Sequence, residues 1–284
     1  MNHNSNIALI GGDRRQLYIA KFFSEKGVGI YSYANDAGYN KCCLLEEIMK
    51  KCDIIVLPVP AFKDNHFINN CHNVNVPTTD FLDCIIPDKH VIFGGCFNDK
   101  ITRLFDEKKI RYYDFMKDDS VAWLNCIATA EGAILEAIKE SSCNIHASSC
   151  LITGYGRCAQ VLADKIRGIK GNVTITCRKY EDMSKAKCMG YNVVPIESIK
   201  NTASDFDYIF NTVPAMLIDS SVINKLKKDC LIIDIASYPG GTDFDYARKC
   251  GIKAILALSI PGRVSPLSSG IILGECIEKH LSTH

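Results

Sequence analysis

The chain has 284 residues, of which 47% are hydrophobic and 23% are charged, and its formal net charge is +1. This length allows two domains with hydrophobic cores, and the near-neutral charge argues against nucleic-acid binding, because no broad basic surface is available to neutralise a phosphate backbone. The sequence has no run of about 18 uncharged apolar residues and no basic-then-apolar N-terminal segment. We therefore expect a cytoplasmic protein that does not associate with a membrane.

The 15 cysteines are an odd number and are scattered along the chain, unlike the dense spacing of a secreted disulfide scaffold. No Cys-x-x-Cys pair occurs. The nearest approach to a metal cluster is His66, Cys71 and His72, which lacks the four ligands in paired spacing that structural zinc requires. We expect no metal site, and we expect the other cysteines to be small core residues of a reducing compartment.

Strand-like runs alternate with helical patterns along the chain, which is typical of parallel sheets with crossover helices. In the first half, helices are predicted at about Arg15–Glu25 and Cys126–Glu140. The strands predicted for this half are Ile7–Ile10, Gly29–Tyr31, Asp53–Leu57, His90–Phe93 and Arg111–Tyr113. The polar segment Ser141–His146 indicates a domain boundary.

The second half repeats the alternation, with helices predicted at Arg157–Ile166, Phe244–Lys249 and Ser269–His280. Its predicted strands are Cys150–Thr153, Val173–Thr176, Tyr208–Asn211, Leu231–Ile235 and Ala254–Ala257. The pattern predicts an α/β fold of two Rossmann-like domains with mostly parallel sheets, joined by long helices with a cleft between them.

We expect residues 1–125 to form a substrate-side domain, completed by a linking helix at 126–141 and a C-terminal helix at 268–284. Residues 146–266 are expected to form a dinucleotide-binding domain.

The segment CLITGYGRCA at 150–159 has an apolar strand, a Gly-x-Gly-x-x-Ala turn and the start of a helix. Gly154 allows the tight turn, Gly156 lets a diphosphate approach the backbone, and Ala159 keeps the helix close to the sheet. This context predicts dinucleotide binding. The alternative is a plain strand-to-helix turn in a domain without a cofactor.

An NAD site places an acidic residue at the end of the second strand, where it binds the ribose hydroxyls. Here Cys177 occupies about that position, and Arg178 and Lys179 follow it. Cations can bind a 2′-phosphate that a carboxylate would repel, so the sequence favours NADP. Glu181 and Asp182 would restore some NAD binding if the strand ended late.

The first half has its own glycine turn, IGGDRRQ at 10–16, in which Arg15 replaces the third small residue of a dinucleotide fingerprint. We interpret this turn as an anion site for substrate, formed by Gly12, Asp13 and Arg15. The alternative is a capping loop in which Asp13 caps the helix and both Arg14 and Arg15 face water.

Other loops follow predicted strands at the edge where open α/β sheets bind ligands. Asn211–Pro214 and Asp234–Gly241 are expected to border the cofactor, although Asp234 is equally suited to local hydrogen bonding. Ser259–Gly270 precedes the last helix, where Ser268 or Ser269 is either an N-cap or a donor to a substrate carboxylate. Pro58–Ala61 is expected to form the opposing wall.

The motifs together resemble the A subunit of bacterial dipicolinate synthase. The matching segments span nearly the whole chain and are Ile10–Gln16, Glu131-Gly132, Gly154–Arg157, Asn211–Pro214, Ser237–Phe244 and Pro261–Pro266. The layout is also similar to a wider group of two-domain dehydrogenases that includes methylenetetrahydrofolate dehydrogenase.

The resemblance implies oxidation of dihydrodipicolinate to dipicolinate (pyridine-2,6-dicarboxylate) with NADP⁺, together with the flavoprotein-like B subunit of dipicolinate synthase, in the mother-cell cytoplasm of a spore-forming bacterium. We also expect a homo-oligomer. Two substrate carboxylates call for two anion sites, which we assign to the Gly11–Arg15 turn and the Ser265–Gly270 helix start, one on each cleft wall. Glu131 is a candidate proton acceptor, and its alternative role is that of a buried carboxylate pairing between domains.

Two sets of residues follow from this interpretation. The residues expected to bind the cofactor are Gly154, Tyr155, Gly156, Arg157, Cys158, Cys177, Arg178, Lys179, Thr212, Val213, Pro214 and Ser237. The residues expected to bind substrate are Gly12, Asp13, Arg15, Pro60, Ala61, Ser265, Pro266, Ser268 and Ser269. Two other functions stay open: a non-catalytic protein that only binds NADP within the complex, and a dehydrogenase for another small carboxylic acid.

Overall fold

A computed structural model describes residues 5–71 and 74–283. The chain divides into two compact units: one contains the residues up to Asn125 and those from Gly262 onward, and the other is Cys126–Pro261. The linking helix at 126–141 was expected to complete the first unit, but these residues belong to the second. Side-chain contacts explain this difference, because Glu131 binds Lys165 and Glu140 binds Lys253, both within the second unit.

The first unit contains a five-stranded sheet in which every neighbouring pair of strands is parallel, in the order β2-β1-β3-β6-β7. Its strands are β1 (Ile7–Ile10), β2 (Ile30–Tyr33), β3 (Ile54–Val56), β6 (Val91–Gly94) and β7 (Arg111–Asp114). A separate antiparallel ribbon pairs β4 (Phe62–Lys63) with β5 (Phe67–Ile68). In the main sheet the strand order reverses between β1 and β3, which defines the switch point of this unit.

Both faces of this sheet are buried, as a parallel sheet with crossover helices requires. Ile7 and Leu9 of β1 belong to one hydrophobic cluster, while Ala8 and Ile10 belong to another. The helices of the unit are α1 (Arg15–Ser24), α2 (Leu45–Lys51), α3 (Thr78–Asp83), α4 (Asp99–Glu107) and α12 (Pro266–Thr283).

The second unit contains a six-stranded, wholly parallel sheet in the order β10-β9-β8-β11-β12-β13. Its strands are β8 (Ser149–Thr153), β9 (Asn172–Cys177), β10 (Asn192–Pro195), β11 (Tyr208–Asn211), β12 (Leu231–Asp234) and β13 (Lys253–Leu256). Numbered within the unit, this is the order 3-2-1-4-5-6 of dinucleotide-binding domains. The predicted fold class is therefore confirmed.

The edge strand β10 was not predicted, because its Val-Val core is too short to give a clear pattern. The crossover helices of the second unit are α6 (Arg157–Gly168), α7 (Tyr180–Cys188), α8 (Ile199–Thr202), α9 (Ser220–Ile223) and α10 (Phe244–Cys250). The short helix α11 (Ile260–Val264) leads back into the first unit.

Helix α5 (Asp119–Glu140) begins seven residues earlier than the sequence pattern indicated. By length and composition alone it could cross a membrane, and 44% of its most apolar 18-residue window is buried within the protein. Ala130, Ala133 and Ala137 are fully buried, whereas Glu131 and Lys139 are exposed. This is also the pattern of a helix that packs one face on a protein core.

His90 is a fully buried residue of the first unit that precedes β6. Its Nδ1 accepts a hydrogen bond from Ile86 N at 3.0 Å, and its Nε2 lies 2.9 Å from the Met49 carbonyl oxygen, to which it donates as the neutral tautomer. Burial disfavours the charged ring and lowers the pKa of His90 below 6.5.

The lowered pKa of His90 predicts a loss of stability as pH falls below 6.5. The unfolded chain then binds a proton on His90 that the native protein does not, so the free energy of unfolding decreases. His90→Gln should flatten the pH dependence of unfolding between about pH 7 and pH 5 by ~1 kcal/mol. Urea titrations at several pH values measure this, with His146→Gln as an exposed control. Equal slopes for wild type and His90→Gln would contradict the assignment.

Candidate dinucleotide site and the neighbouring switch point

Gly154 follows β8 and has a backbone φ of +78°, a conformation that favours glycine. A β-carbon added here would lie 2.8 Å from Val213 Cγ2 and 3.1 Å from Thr212 Oγ1. The loops that follow β8 and β11 therefore approach each other closely at the switch point of the second sheet.

Hydrogen bonds between β8 and β11 hold these two loops together. Thr153 Oγ1 donates to Asn211 Oδ1 at 2.5 Å and accepts from Thr212 N at 3.1 Å. Thr212 Oγ1 donates to the Thr153 carbonyl at 2.6 Å. Sequence reasoning missed Thr153 as a site residue. The signal was available, because Thr153 and Asn211 are polar residues that end strands which are neighbours in the dinucleotide-binding order.

The other side of the turn is open. Gly156 is the N-cap of α6, and a β-carbon added to it would meet no atom within 4 Å among the described residues. The first backbone N–H groups of an α-helix such as α6 have no partner within the helix, and they form the positive end of its dipole. The side chain of Tyr155 is buried, so only its backbone can face a ligand here. This arrangement fits the diphosphate of a dinucleotide.

Strand β9 ends at Cys177, and Arg178 and Lys179 follow it as exposed residues before α7. Glu181 lies inside α7 and forms an ion pair with Lys185 at 2.6 Å. Asp182 also lies inside this helix. The alternative in which the strand ends late and presents an acidic residue is therefore wrong.

The loop that follows β12 is fixed by the buried carboxylate of Asp234. Its Oδ1 accepts from Ala236 N at 3.1 Å, and its Oδ2 accepts from Gly241 N at 2.8 Å and Thr242 Oγ1 at 2.7 Å. Asp234 thus has a local structural role, which was one of its two interpretations. Ser237 is exposed on this loop.

The guanidinium of Arg15 lies at the switch point of the first sheet. Its Nε and Nη2 donate to the Asp13 carboxylate at 2.9 and 2.7 Å, and Nη2 also donates to the Val59 carbonyl at 2.5 Å. The contacts link the loop after β1 to the loop after β3. Arg15 is only 6% exposed, whereas Arg14 is exposed. The alternative in which both arginines face water is therefore right for Arg14 and wrong for Arg15.

Asp13 also accepts a hydrogen bond from Arg15 N at 3.0 Å, which caps the start of α1. Burial opposes ionisation of its carboxyl, but the hydrogen bonds and positive charge of Arg15 outweigh burial, so the pKa of Asp13 lies below 3.8. The pair is therefore ionised at neutral pH.

Several residues expected to bind substrate are already engaged in the protein. Gly12 donates through its N–H to the Asn69 carbonyl at 2.8 Å and accepts from Cys71 N at 3.1 Å. Ala61 is fully buried and donates to the Gly95 carbonyl at 2.8 Å. These two residues have a structural role in the protein, whereas Pro60 is exposed.

Helix α12 begins at Pro266, so Ser268 and Ser269 lie in its first turn and are not its N-cap. Ser268 is exposed, whereas Ser269 is 2% exposed. A β-carbon on Gly270 would lie 2.9 Å from the Arg15 carbonyl oxygen, which shows that the starts of α12 and α1 are in close contact. The two expected anion segments therefore belong to the same unit, and their predicted positions on opposite walls are wrong.

Glu131 lies on the exposed face of α5 and forms an ion pair with Lys165 of α6 at 2.8 Å. The expectation of a buried carboxylate pairing between the domains is therefore wrong. Cys158, in the first turn of α6, has its sulfur 3.0 Å from that of Cys126 in α5. Among residues 5–71 and 74–283, no cluster of three or more His, Cys, Asp or Glu residues could hold a metal ion, and His72 lies outside these ranges.

Two α/β units, one with the strand order and glycine turn of a dinucleotide-binding domain, define the fold of two-domain dehydrogenases. The same fold occurs in the transhydrogenase from Sinorhizobium meliloti, which is 11% identical, with 97% of this chain and 92% of that one covered at a TM-score of 0.68. It also occurs in L-alanine dehydrogenase, which is 11% identical, with 96% and 88% of the two chains covered at a TM-score of 0.62.

The chain belongs to the family of the dipicolinate synthase A subunit. It is 33% identical to the dipicolinate synthase A subunit of Bacillus subtilis strain 168, over 97% of this chain and 95% of that protein. The family model for the N-terminal domain of the dipicolinate synthase A subunit matches residues 6–116. The crystal structure of the dipicolinate synthase A subunit from Bacillus halodurans is 28% identical, covers 98% of each chain and has a TM-score of 0.88.

The buried Asp13–Arg15 pair predicts that Arg15 contributes to stability. Arg15→Ala would remove the guanidinium that pairs with the Asp13 carboxylate and donates to the Val59 carbonyl, and should lower the free energy of unfolding by about 2–4 kcal/mol. Thermal or urea unfolding measures the loss, with Arg14→Ala as the matched control because Arg14 is the exposed neighbour. If both variants are as stable as wild type, the pair has no structural role.

Proposed function

We propose that this protein oxidises dihydrodipicolinate to dipicolinate with NADP⁺ as the hydride acceptor. The observation that carries the proposal is the open glycine turn at the start of α6, in a chain whose 33% identical relative is a dipicolinate synthase A subunit. Residues flanking that turn fit a nicotinamide dinucleotide, and the family suggests the substrate.

In the proposed complex, the backbone N–H groups of Arg157 and Cys158 bind the diphosphate of NADP⁺. The exposed cations Arg178 and Lys179 bind its 2′-phosphate, since they immediately follow the second strand of the domain. Thr212, Val213, Pro214 and Ser237 border the nicotinamide, on the loops that follow β11 and β12. Bound NADP⁺ supplies a hydride acceptor.

The substrate carboxylates are proposed to bind beside the adjacent starts of α1 and α12. Ser268 is the exposed hydroxyl in this region, and Nη1 is the part of the Arg15 guanidinium that its contacts with Asp13 and Val59 do not use. A β-carbon added to Gly262 would collide with the Asp13 carboxylate, so Gly262 of α11 lies in the same region. Ser265 and Pro60 complete the proposed substrate contacts.

Conversion of a dihydropyridine to a pyridine removes one hydride and one proton and creates an aromatic ring. Aromatisation provides the driving force, so positioning of the ring can supply most of the catalysis without a strong base. Glu131 stays a proposed proton acceptor. Its exposure and its ion pair with Lys165 are, however, also typical of a surface pair.

The family also suggests the biological setting. We propose that the protein works with the B subunit of dipicolinate synthase in the mother-cell cytoplasm of a sporulating bacterium, as a homo-oligomer. The Bacillus subtilis relative is named as the A component of a synthase, which supports a second, different component in the complex.

The position of Arg178 and Lys179 predicts cofactor preference. Replacing both with alanine should raise the Kd for NADP⁺ by about 10- to 100-fold, which corresponds to a total loss of roughly 1.5–3 kcal/mol of charge-assisted hydrogen bonding at this exposed position. The Kd for NAD⁺ should change little. Isothermal titration measures both constants, with Lys187→Ala on the far end of α7 as the matched control. If NAD⁺ already binds the wild type as tightly as NADP⁺, the preference does not exist.

An absorbance assay separates catalysis by this chain from a purely binding role. We expect the purified chain alone to reduce NADP⁺ when dihydrodipicolinate is supplied. The measured quantity is the increase in absorbance of the reduced nicotinamide. Binding of NADP⁺ without turnover, followed by turnover once the B subunit is added, would favour the alternative of a non-catalytic NADP-binding protein. Turnover with another small carboxylic acid and none with dihydrodipicolinate would favour the third function.

A further inference from the structure

Two thiols meet at the start of the helix that carries the dinucleotide turn. The sulfur atoms of Cys126 in α5 and Cys158 in α6 are 3.0 Å apart. A disulfide bond is about 2.05 Å long, so a small movement of either side chain would bring the two sulfur atoms to bonding distance. Cys158 is the second residue of α6, directly after Gly156 and Arg157 of the turn.

The environment of Cys158 favours a thiolate. The hydrogen bond from Cys126 and the nearby charge of Arg157 lower the pKa of Cys158, despite burial. The N-terminal end of α6 adds a positive dipole at the same position. The bond to Cys158 and burial raise the pKa of Cys126. The pair therefore combines a partly exposed Cys158, whose pKa is lowered, with a buried thiol at Cys126, which is 5% exposed.

Three other cysteines are buried in surroundings that disfavour the thiolate form. Burial raises the pKa of Cys52, Cys150 and Cys230 to about 12, so their thiolate forms are scarce at neutral pH. Cys143 and Cys188 are exposed, and they provide a reference for reactivity that arises from accessibility alone.

We propose that Cys126 and Cys158 form a redox-active dithiol that a hydroperoxide converts into a disulfide at the dinucleotide turn. The Cys158 thiolate attacks an oxygen of hydrogen peroxide, and the O–O bond breaks to give a sulfenic acid and hydroxide, which is protonated to water. Cys126 then attacks the sulfenic sulfur and forms the S–S bond. The leaving hydroxide takes the Cys126 proton as a second water, so two thiols are oxidised and one peroxide is reduced.

The disulfide would join α5 to the first turn of α6, beside the N–H groups that the diphosphate is proposed to use. The diphosphate and the thiolate are both anions at one helix terminus, so bound cofactor disfavours the thiolate and slows its oxidation. This coupling rests on the proposed function, whereas formation of the disulfide does not.

Peptide mapping tests the disulfide directly. Trypsin cleaves after Lys117, Lys139, Arg157 and Lys165, so Cys126 and Cys158 lie in two separate peptides, each with a single cysteine. The full chain is treated with hydrogen peroxide, alkylated and digested without reductant. We expect one cross-linked species that joins residues 118–139 to residues 158–165 and disappears after treatment with dithiothreitol. Absence of this species, with Cys158 recovered in the alkylated form that marks an unoxidised thiol, would overturn the proposal.

Variants assign the roles of the two thiols. In Cys126→Ser, Cys158 should stop at the sulfenic acid and react with dimedone, whereas Cys158→Ser should leave Cys126 unoxidised. Cys143→Ser, which removes an exposed thiol, should leave the cross-link unchanged. Equal dimedone labelling of Cys143, Cys188 and Cys158 would show reactivity set by accessibility alone and would count against a tuned pair.

A second measurement tests the coupling to cofactor separately. NADP⁺ at saturation should slow cross-linking several-fold, and an unchanged rate of cross-linking would overturn the coupling. If the reduced wild type does not bind NADP⁺ at all, the proposed function fails while the disulfide is still judged by the peptide map.

Discussion

The close contact between two loops at the switch point of each sheet is the constraint on which both halves of this molecule depend. A parallel sheet whose strand order reverses must send two successive crossovers to opposite faces, and a crevice opens between them. In the second unit, hydrogen bonds among Thr153, Asn211 and Thr212 hold the two loops together below the crevice. The space beside Gly156 is open, so the entrance to the crevice is accessible. In the first unit, the guanidinium of Arg15 occupies the corresponding place.

This difference gives two related units different chemical capacities. An open helix start, with the positive end of its dipole facing the crevice, attracts a diphosphate, whereas the start of α1 already has the carboxylate of Asp13 beside it, which opposes a group as highly charged as a diphosphate. The buried pair is nevertheless next to the start of α12, where Ser268 is exposed. The first unit is thus better suited to recognising a small substrate by its shape and hydrogen bonds than to binding a second dinucleotide.

Most of the fold could be predicted from the sequence, because buried parallel strands give strong local patterns. The strands β1 and β11 were predicted with their observed bounds, and the dinucleotide turn with its helix was found where expected. The edge strand β10 was missed because it is short and half-buried. The Asp13–Arg15–Val59 contact was also missed, since pairing across 44 positions leaves no local signal. The exposure of Glu131 and its pairing with Lys165 could not be predicted, because an apolar helix does not reveal which face a single charge occupies.

The position of Cys158 connects the cofactor turn to the rest of the second unit. Helix α5 contacts α6 through the ion pair of Glu131 with Lys165 and through the sulfur contact of Cys126 with Cys158, so the geometry of α5 bears directly on the first turn of α6. A helix terminus can stabilise only a limited amount of negative charge, and a thiolate and a diphosphate draw on the same positive potential. In the proposed complex, the protonation and oxidation states of Cys158 are thus thermodynamically linked to occupation of the turn. A small, neutral residue at this position would remove that linkage while leaving the glycine turn unchanged.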